Sequence, residues 1–277
     1  MAKTISTGFI SDTINGIKVN SSIPAHSSNY NKKTSRSVSY IVMHYTGNSK
    51  DVARNNANYF KGANRNASAH FFVDNDNIYQ TVALKDVAWH CGGSTYYHSY
   101  CRNSNAFGIE MCCTAGNYTI SQKTLENSAY LCANLCKRLG ISAKDVDTYV
   151  IRHYDVTHKK CPAQMANTAS DPDWVEFKAK VKNILTNGAI TSTTKENSSR
   201  VDDVQGATVN YKVRITATAL NIRKGPGTGY AKVGCITDQG VYTIVKEKKN
   251  GNTTWGLLKS GADTQDRWIS LSYTKRI

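Results

Sequence analysis

A histidine and a cysteine stand eight positions apart in the segment HYDVTHKKCP, residues 153–162. His153 opens this segment, Cys161 stands just before its closing proline, and two lysines lie between them. Imidazole nitrogen and thiolate sulfur are both ligands of Zn²⁺, and a catalytic zinc site takes three protein ligands and leaves a fourth position to water. Metal ligation, a disulfide and coincidence are the explanations open for this segment, and a metal site needs a third ligand from elsewhere.

His44 is the candidate for the third ligand. It lies near the end of SYIVMHY, residues 39–45, a nearly continuous apolar run of the kind that forms a strand buried on both faces. Gly47 follows closely, and side chains at the end of such a strand emerge at the edge of a sheet. A lone histidine is more often a packed core residue than a ligand, so spacing alone leaves both interpretations open.

Strand patterns on either side of this run predict the sheet that must position these residues. Residues 70–73 and 78–82 flank the turn composition Asp74-Asn-Asp-Asn77 and predict a hairpin. Residues 107–113 predict a further strand, and Cys112 and Cys113 at its end are interpreted as packing residues.

Helical patterns alternate with these strands. Residues 51–60 predict one helix, and residues 125–139 predict a second that ends at Gly140. Cys132 and Cys136 fall on the apolar stripe of the second helix, which favours a role as core residues. A last helix starts with Asp171 as its N-cap and Pro172 as its first residue. Its apolar face is predicted to carry Trp174, Phe177, Val181 and Leu185.

A change of composition divides the chain. Residues 186–205 are rich in Ser, Thr and Asn, lack aromatic residues and predict a flexible linker. Short β-rich runs separated by turn residues follow it, at 219–223, 231–236, 241–245, 254–258 and 267–270. We therefore expect an α/β domain at residues 1–185, with a mixed central sheet flanked by helices, and a small all-β barrel at residues 206–277.

The formal net charge of +15 predicts a polyanionic partner. Nucleic acid and anionic wall polymers are both candidates, but the basic residues are scattered along the chain rather than concentrated in runs, which argues against nucleic acid. No apolar run reaches the roughly 18 residues of a membrane span, so no membrane anchor is expected. The first residues, MAKTISTGFISDT, lack the features of a secretion signal and indicate synthesis in the cytoplasm.

Five motifs together resemble the zinc N-acetylmuramoyl-L-alanine amidases of phage endolysins, a family that includes T7-lysozyme-like enzymes and peptidoglycan recognition proteins. They follow the order of that family over roughly residues 20–185. The motifs are IVMHYTG (41–47), SAHFFVDNDNIYQTV (68–82), VAWHCGG (87–93), FGIEMC (107–112) and RHYDVTHKKCP (152–162). The resemblance implies a peptidoglycan hydrolase that cleaves the amide bond between N-acetylmuramic acid and L-alanine.

The same resemblance implies roles for individual residues. His44, His153 and Cys161 would bind Zn²⁺, with water in the fourth position. Glu110 would be the general base, and Lys159 would be the catalytic lysine that stabilises the oxyanion. Substrate contacts are implied for the adjacent residues Trp89 and His90. Some relatives carry a catalytic tyrosine where this chain has Ala69, so the resemblance places the proton transfer on Glu110.

The C-terminal part carries a second resemblance. ITATALNIRKGPGTGYAKVG (215–234) and DRWISLSYT (266–274) are similar to bacterial SH3-like wall-binding domains. The expected partners are bacterial peptidoglycan and anionic wall polymers. Together the two resemblances predict an endolysin made in the host cytoplasm that acts on the wall after release. The alternative is a non-catalytic peptidoglycan-binding protein, in which the cysteine ligand is typically lost. Cys91, Cys101 and Cys235 have no interpretation from the sequence.

Overall fold

A computed structural model describes residues 2–168, 170–187, 207–250, 253–259 and 267–277. The chain divides into two compact units, Met1–Thr191 and Ser192–Ile277. The expected linker 186–205 lies outside the described residues from residue 188 onward. Its first two residues belong instead to the last helix of the first unit, Pro172–Asn187, where the Thr186 hydroxyl donates to the Lys182 carbonyl oxygen at 3.0 Å.

The first unit alternates strands and helices, as predicted. In chain order its strands are β1 (Lys3–Ile5), β2 (Thr13–Ile14), β3 (Ile17–Asn20), β4 (Tyr30–Asn31), β5 (Arg36–Val38), β6 (Tyr40–Tyr45), β7 (Phe71–Val73), β8 (Ile78–Gln80), β9 (Val87–Ala88), β10 (Ala106–Met111) and β11 (Val150–Arg152). Its α-helices are α1 (Ala53–Lys61), α2 (Gln122–Leu139), α3 (Val146–Tyr149), α4 (His153–Thr157) and α5 (Pro172–Asn187).

The central sheet is mixed, in the order β11-β6-β10-β7-β8-β3-β2. Strand β6 runs parallel to both β10 and β11, and β10 runs parallel to β7. Strands β7 and β8 pair antiparallel, which forms the predicted hairpin. The expected α/β class with a mixed sheet is confirmed.

One face of the central sheet packs against the main core, and the opposite face carries the candidate functional side chains. On one face, Ile41 and Met43 of β6 belong to the main core, to which α2 and α5 contribute. Successive side chains of a strand point to opposite faces, so Val42 and His44 lie on the other face. Glu110 of β10 is the Cα partner of His44 and shares that face. The functional side chains therefore project from the face opposite α2.

The predicted end of α2 and the predicted start of α5 are confirmed, whereas α2 begins at Gln122, three residues before the predicted Leu125. Ser121 caps α2 by accepting a hydrogen bond from the Thr124 N–H at 3.2 Å, and Gly140 ends the helix with a left-handed φ of 74°. Asp171 caps α5 through Oδ1, which accepts from the Asp173 N–H at 3.0 Å. Cys132 and Cys136 are fully buried in the core, as expected. On α5 the buried residue is Ile184, while Leu185 is only partly buried at the edge of the core.

The start of α1 and the end of β10 also differ from the prediction, and Asp51 contacts both regions. The helix predicted at 51–60 begins at Ala53, and the strand predicted at 107–113 ends at Met111. The Asp51 carboxylate accepts hydrogen bonds from the Cys113 N–H at 2.6 Å and from the Asn56 amide at 2.6 Å. Asp51 thus joins the loop after β10 to the start of α1, and Cys113 bonds to this side chain instead of extending a strand ladder.

The second unit is all-β. Its strands are β12 (Ala207–Ile215), β13 (Leu220–Arg223), β14 (Lys232–Ile236), β15 (Val241–Asn250), β16 (Thr253–Leu258), β17 (Trp268–Ser270) and β18 (Thr274–Arg276), in the sheet order β14-β13-β17-β16-β15-β12-β18. Strands β12 and β18, which pair with each other, were not predicted. Trp255 and Trp268 are buried within this unit. Across the described parts of both units, the helices are too short or too polar to cross a bilayer.

Candidate metal centre and active site

The site is built at the carboxyl end of three neighbouring parallel strands. His44 lies on β6, Glu110 is its register partner on β10, and β11 ends at Arg152, which pairs with Met43. His153, the next residue, therefore emerges beside His44. Because the carboxyl ends of parallel strands meet at one edge of a sheet, this topology gathers side chains that are distant in sequence, at the place where open α/β sheets bind ligands.

His44, His153 and Cys161 form one buried cluster. Their candidate ligand atoms all lie within 4.8 Å of one another. The rings of His44 and His153 have centroids 4.8 Å apart, and Nδ1 of His44 lies 3.8 Å from Sγ of Cys161. Tetrahedral zinc with ordinary bond lengths separates a nitrogen from a sulfur ligand by about 3.6 Å. The donor set and its spacing therefore fit a Zn²⁺ ion.

Hydrogen bonds on the outer nitrogens fix which ring atom each histidine can offer. Nε2 of His153 lies 3.0 Å from the carbonyl oxygen of Gly92, to which it donates its proton. Nδ1 of His153 is thus left unprotonated and available to a metal. His44 directs Nδ1 at Cys161 and Nε2 at Nδ1 of His90, 3.0 Å away. When Nδ1 of His44 binds a metal, Nε2 must carry the ring proton. Nε2–H then donates a hydrogen bond to Nδ1 of His90.

Burial sets the protonation states of this cluster. It lowers the pKa of His44 well below its usual value, and it lowers the pKa of His153 to about 4. Both imidazoles are therefore neutral at pH 7, the form that binds metal. Burial raises the pKa of the Cys161 thiol, with the Glu110 charge acting in the same direction. Cys161 therefore keeps its proton until a cation displaces it.

Glu110 is a partly buried carboxyl group on β10. One carboxylate oxygen, Oε2, is shielded from solvent and has no hydrogen-bond partner among the described residues. Burial raises the pKa of Glu110 to about 8, although the charge of Lys159 opposes that shift. A carboxyl group with a pKa near neutrality, beside a metal-binding cluster, can exchange a proton near neutral pH.

Lys159, by contrast, is exposed on the loop that leads to Cys161. Its charge also acts, after the effect of burial, to lower the pKa of both His44 and His153. Its ammonium charge therefore acts on both candidate histidine ligands from the loop that leads to Cys161.

Trp89 and His90 stand in different surroundings. Trp89 is half-buried, and its backbone exchanges hydrogen bonds with Ser68 at 3.0 Å in both directions. His90 is buried behind His44, and its ring also lies 3.1 Å from Sγ of Cys91. Burial lowers the pKa of His90 to about 3. His90 thus contacts a candidate ligand directly.

Sequence reasoning missed the groups that support the cluster. The Gly92 carbonyl orients His153, and Gly108 of β10 leaves room for His90, since a Cβ at residue 108 would lie 2.6 Å from the His90 ring. Both glycines lie within motifs quoted above, and a glycine inside a strand is the usual signal of a close approach. His44, His90 and Cys91 also have donor atoms within 4.8 Å of one another, so His44 is shared by two candidate ligand groups.

Comparison with known proteins shows what the segment that contains this site is similar to. Residues 34–164 match the N-acetylmuramoyl-L-alanine amidase family, Amidase_2, and this segment contains the cluster and Glu110. The chain is 32% identical to a probable N-acetylmuramoyl-L-alanine amidase of Bacillus licheniformis over 229 residues, 76% of this chain and 61% of that protein. It is 34% identical to the amidase CwlL of Bacillus licheniformis over 167 residues, 57% of this chain and 44% of that protein. The matches thus span about half to three fifths of these relatives' lengths.

Two solved structures are also similar. The catalytic domain of XlyA is 27% identical with a TM-score of 0.48, and the match covers 60% of this chain and 99% of that domain. The catalytic domain of PlyG is 25% identical with a TM-score of 0.49, covering 64% of this chain and 100% of that domain. Residues 34–164 therefore match the N-acetylmuramoyl-L-alanine amidase family, and the curated relatives to which the chain is similar are a probable and a named amidase of this type.

Proposed function

We propose that this protein is a zinc-dependent N-acetylmuramoyl-L-alanine amidase that hydrolyses the amide bond between N-acetylmuramic acid and L-alanine in bacterial peptidoglycan. The observation that carries the proposal is the buried cluster of His44, His153 and Cys161, which lies beside Glu110 inside the segment that matches the amidase family. This combination supplies metal ligands and a base at one sheet edge.

His44, His153 and Cys161 would hold the metal through Nδ1, Nδ1 and Sγ. A bound Zn²⁺ supplies Lewis acidity, which lowers the pKa of water and polarises the substrate carbonyl. The protein contributes neutral imidazoles whose orientation is set by Gly92 and His90, and a thiol that becomes a thiolate on binding.

Glu110 would move the proton. Its shielded oxygen, Oε2, accepts a proton from the attacking water as the amide carbon is attacked, then donates it to the leaving amine of L-alanine. The buried setting that raises the pKa of Glu110 suits this exchange, because a group with a pKa near the working pH both accepts and releases a proton readily.

Lys159 would stabilise the negative charge that develops on the amide oxygen. Its ammonium group is a positive charge on the loop beside Cys161. Such a hydrogen-bond donor stabilises the transition state more than the bound substrate. Trp89, which is half-buried and hydrogen-bonded to Ser68, is proposed to border the substrate groove. His90, expected from the sequence to contact substrate, is buried behind His44 and is proposed instead to position that ligand.

The second unit is proposed to bind the wall. Its all-β architecture and the LNIRKGPGTGY segment (220–230) support an SH3-like domain, and the net charge of +15 favours anionic wall polymers over neutral surfaces. We infer action on the cell wall after release from the cell that makes the protein. The domain limits 1–185 and 206–277 belong to the same proposal.

Digestion of purified cell wall tests the catalytic proposal. Metal-replete wild-type protein is expected to release peptides with free N-terminal alanine and intact glycan strands, identified by mass spectrometry. Chelator-treated protein and the Glu110→Gln variant are expected to release little. New reducing sugar ends would mean that the protein is a glycosidase, and binding without cleavage would support the alternative of a wall receptor.

A further inference from the structure

A loop beside the metal centre presents tyrosines to solvent. Between Gly92 and Cys101, the exposed fractions are 40% for Tyr96, 57% for Tyr97 and 74% for Tyr100. Exposed aromatic rings that cluster on one loop mark ligand contacts more often than isolated ones do. Of these rings, Tyr96 is already covered by the guanidinium of Arg102 at 4.2 Å.

Backbone hydrogen bonds hold this loop against α4. The N–H groups of Tyr97 and His98 both donate to the carbonyl of Val156, at 2.9 and 3.3 Å. Within the loop, Nδ1 of His98 accepts from the Cys101 N–H at 3.0 Å. These bonds are independent of the tyrosine rings, so the loop keeps its position when a ring is replaced.

Tyr97 is the outer member of an aromatic stack. Its ring lies face to face with that of His158, with centroids 3.6 Å apart and an interplanar angle of 8°. His158 in turn stacks on Tyr154 at 5.4 Å. One face of Tyr97 is therefore covered, while its 57% exposure leaves the opposite face open. A flat ring held in this way can bind a ligand without further loss of rotamer entropy.

The stack lies close to the candidate metal centre. Helix α4 begins with the candidate ligand His153 and ends at Thr157, so His158 follows it by about 7.5 Å along the helix axis. At the other end of the loop, the Gly92 carbonyl binds His153. A substrate whose reacting bond lies at the cluster would reach Tyr97 if it extended by about one further residue or sugar in this direction.

We propose that Tyr97, supported by His158, is a saccharide subsite that stacks against a pyranose ring of the glycan strand. This proposal rests on the proposed amidase function, since the bond to be cleaved joins a sugar to a peptide. The C–H groups on one face of a pyranose ring carry partial positive charge and pack on the negative face of an aromatic ring. Stem-peptide carboxylates would require a cationic partner, and the guanidinium of Arg102 lies over the ring of Tyr96, not over that of Tyr97.

Binding of a peptide-free probe tests the subsite separately from catalysis. The tetramer of N-acetylglucosamine contains no muramoyl-alanine bond, so its binding to the full chain can be measured by calorimetry whether or not the protein is an amidase. Tyr97→Ala is expected to weaken binding about threefold to tenfold, and Tyr97→Trp is expected to retain it. Tyr59→Ala, at a ring that is 52% exposed on α1, is the matched control and should bind as the wild type does.

Kinetics supply the second measurement. On long glycan strands with stem peptides, Tyr97→Ala should raise KM by a similar factor with kcat unchanged, whereas on N-acetylmuramoyl-L-alanyl peptides with a single sugar both constants should stay the same. An equal rise of KM on both substrates would assign the ring to the stem peptide and overturn the proposal. Unchanged tetramer binding in Tyr97→Ala would also overturn it. Absence of hydrolysis by the wild type would instead contradict the amidase function.

Discussion

Nε2 of His44 lies 3.0 Å from Nδ1 of His90, although the two residues are 46 positions apart in the chain. Nδ1 of His44 is directed at Cys161, so His90 stands behind a candidate metal ligand. Groups in this position set the tautomer and orientation of the ligand, and their loss typically costs 10- to 100-fold in metal affinity. His90 thus acts through His44, as a positioning residue.

Replacing His90 should therefore weaken metal binding. We expect His90→Ala to reduce zinc affinity about 10- to 100-fold, measured by competition with a chromophoric chelator. His90→Gln, whose side-chain oxygen can accept a hydrogen bond from Nε2 of His44, should recover part of the lost zinc affinity. Gly108→Ala tests the same contact with both histidines kept, since its Cβ would displace the His90 ring. Wild-type zinc affinity in all three variants would show that His90 does not position His44.

Cys161 should be required for metal retention. Cys161→Ser removes the thiolate from the cluster, so we expect a lower zinc content after dialysis and a smaller increase of Tm on adding zinc. Cys235→Ser, at an exposed cysteine of the second unit, is the matched control. Equal zinc content in the two variants would exclude Cys161 as a ligand.

Glu110 should be needed for turnover and dispensable for the metal. Glu110→Gln keeps the shape of the side chain and removes its basicity, so kcat should fall by about 10²- to 10⁴-fold. Zinc content and Tm are expected to stay close to those of the wild type. Hydrolysis at the wild-type rate would remove Glu110 from the proton transfer.

Lys159 can be separated from its neighbour by substitution. Lys159→Met should lower kcat by at most about 10²- to 10³-fold with little change in zinc affinity, because its charge acts on the transition state. Lys160→Met, at the adjacent exposed lysine, alters the net charge equally and should leave kcat unchanged. Equal losses in both variants would indicate a general effect of positive charge on wall binding.

The salt bridges of Asp147 should stabilise the first unit at neutral pH and lose this contribution in acid. Its carboxylate lies 2.5 Å from Nζ of Lys182 and 2.9 Å from Nζ of Lys178, and these ammonium groups lower its pKa. A carboxyl group with a lowered pKa stabilises the folded state above its unfolded pKa of about 3.9, and this contribution is lost as the pH falls through the folded value. Both salt bridges are partly exposed to solvent, so their contribution to stability is small.

Calorimetric unfolding of Asp147→Asn tests this contribution. At pH 7 the Tm of the variant should be slightly below that of the wild type, and the two should converge once the pH is below the lowered pKa of Asp147, where both carry a neutral side chain. High salt should shrink the difference at pH 7, because it screens exposed charges. A difference that persists at low pH would assign the effect to packing.

Local sequence signals were sufficient for many of the elements. Gly140 and Asp171 end and start the helices α2 and α5 as their chemistry requires, because capping depends on residues that are adjacent in the chain. The hairpin around Asp74-Asn-Asp-Asn77 is local for the same reason. The boundaries at residues 53 and 111 were missed because Asp51 and Cys113, which meet only in the fold, determine them.

Residue identity and order alone indicated the candidate ligands His44, His153 and Cys161, since imidazole and thiol groups in amidase-like motifs carry their chemistry wherever the chain places them. Only the tertiary structure decided which of their atoms face one another. The pairing of β11 and β10 with β6 sets His153 and Glu110 beside His44, and loop packing places His90 behind it and Tyr97 on His158. These contacts join residues far apart in sequence, so they follow from strand register and close packing rather than from any local pattern.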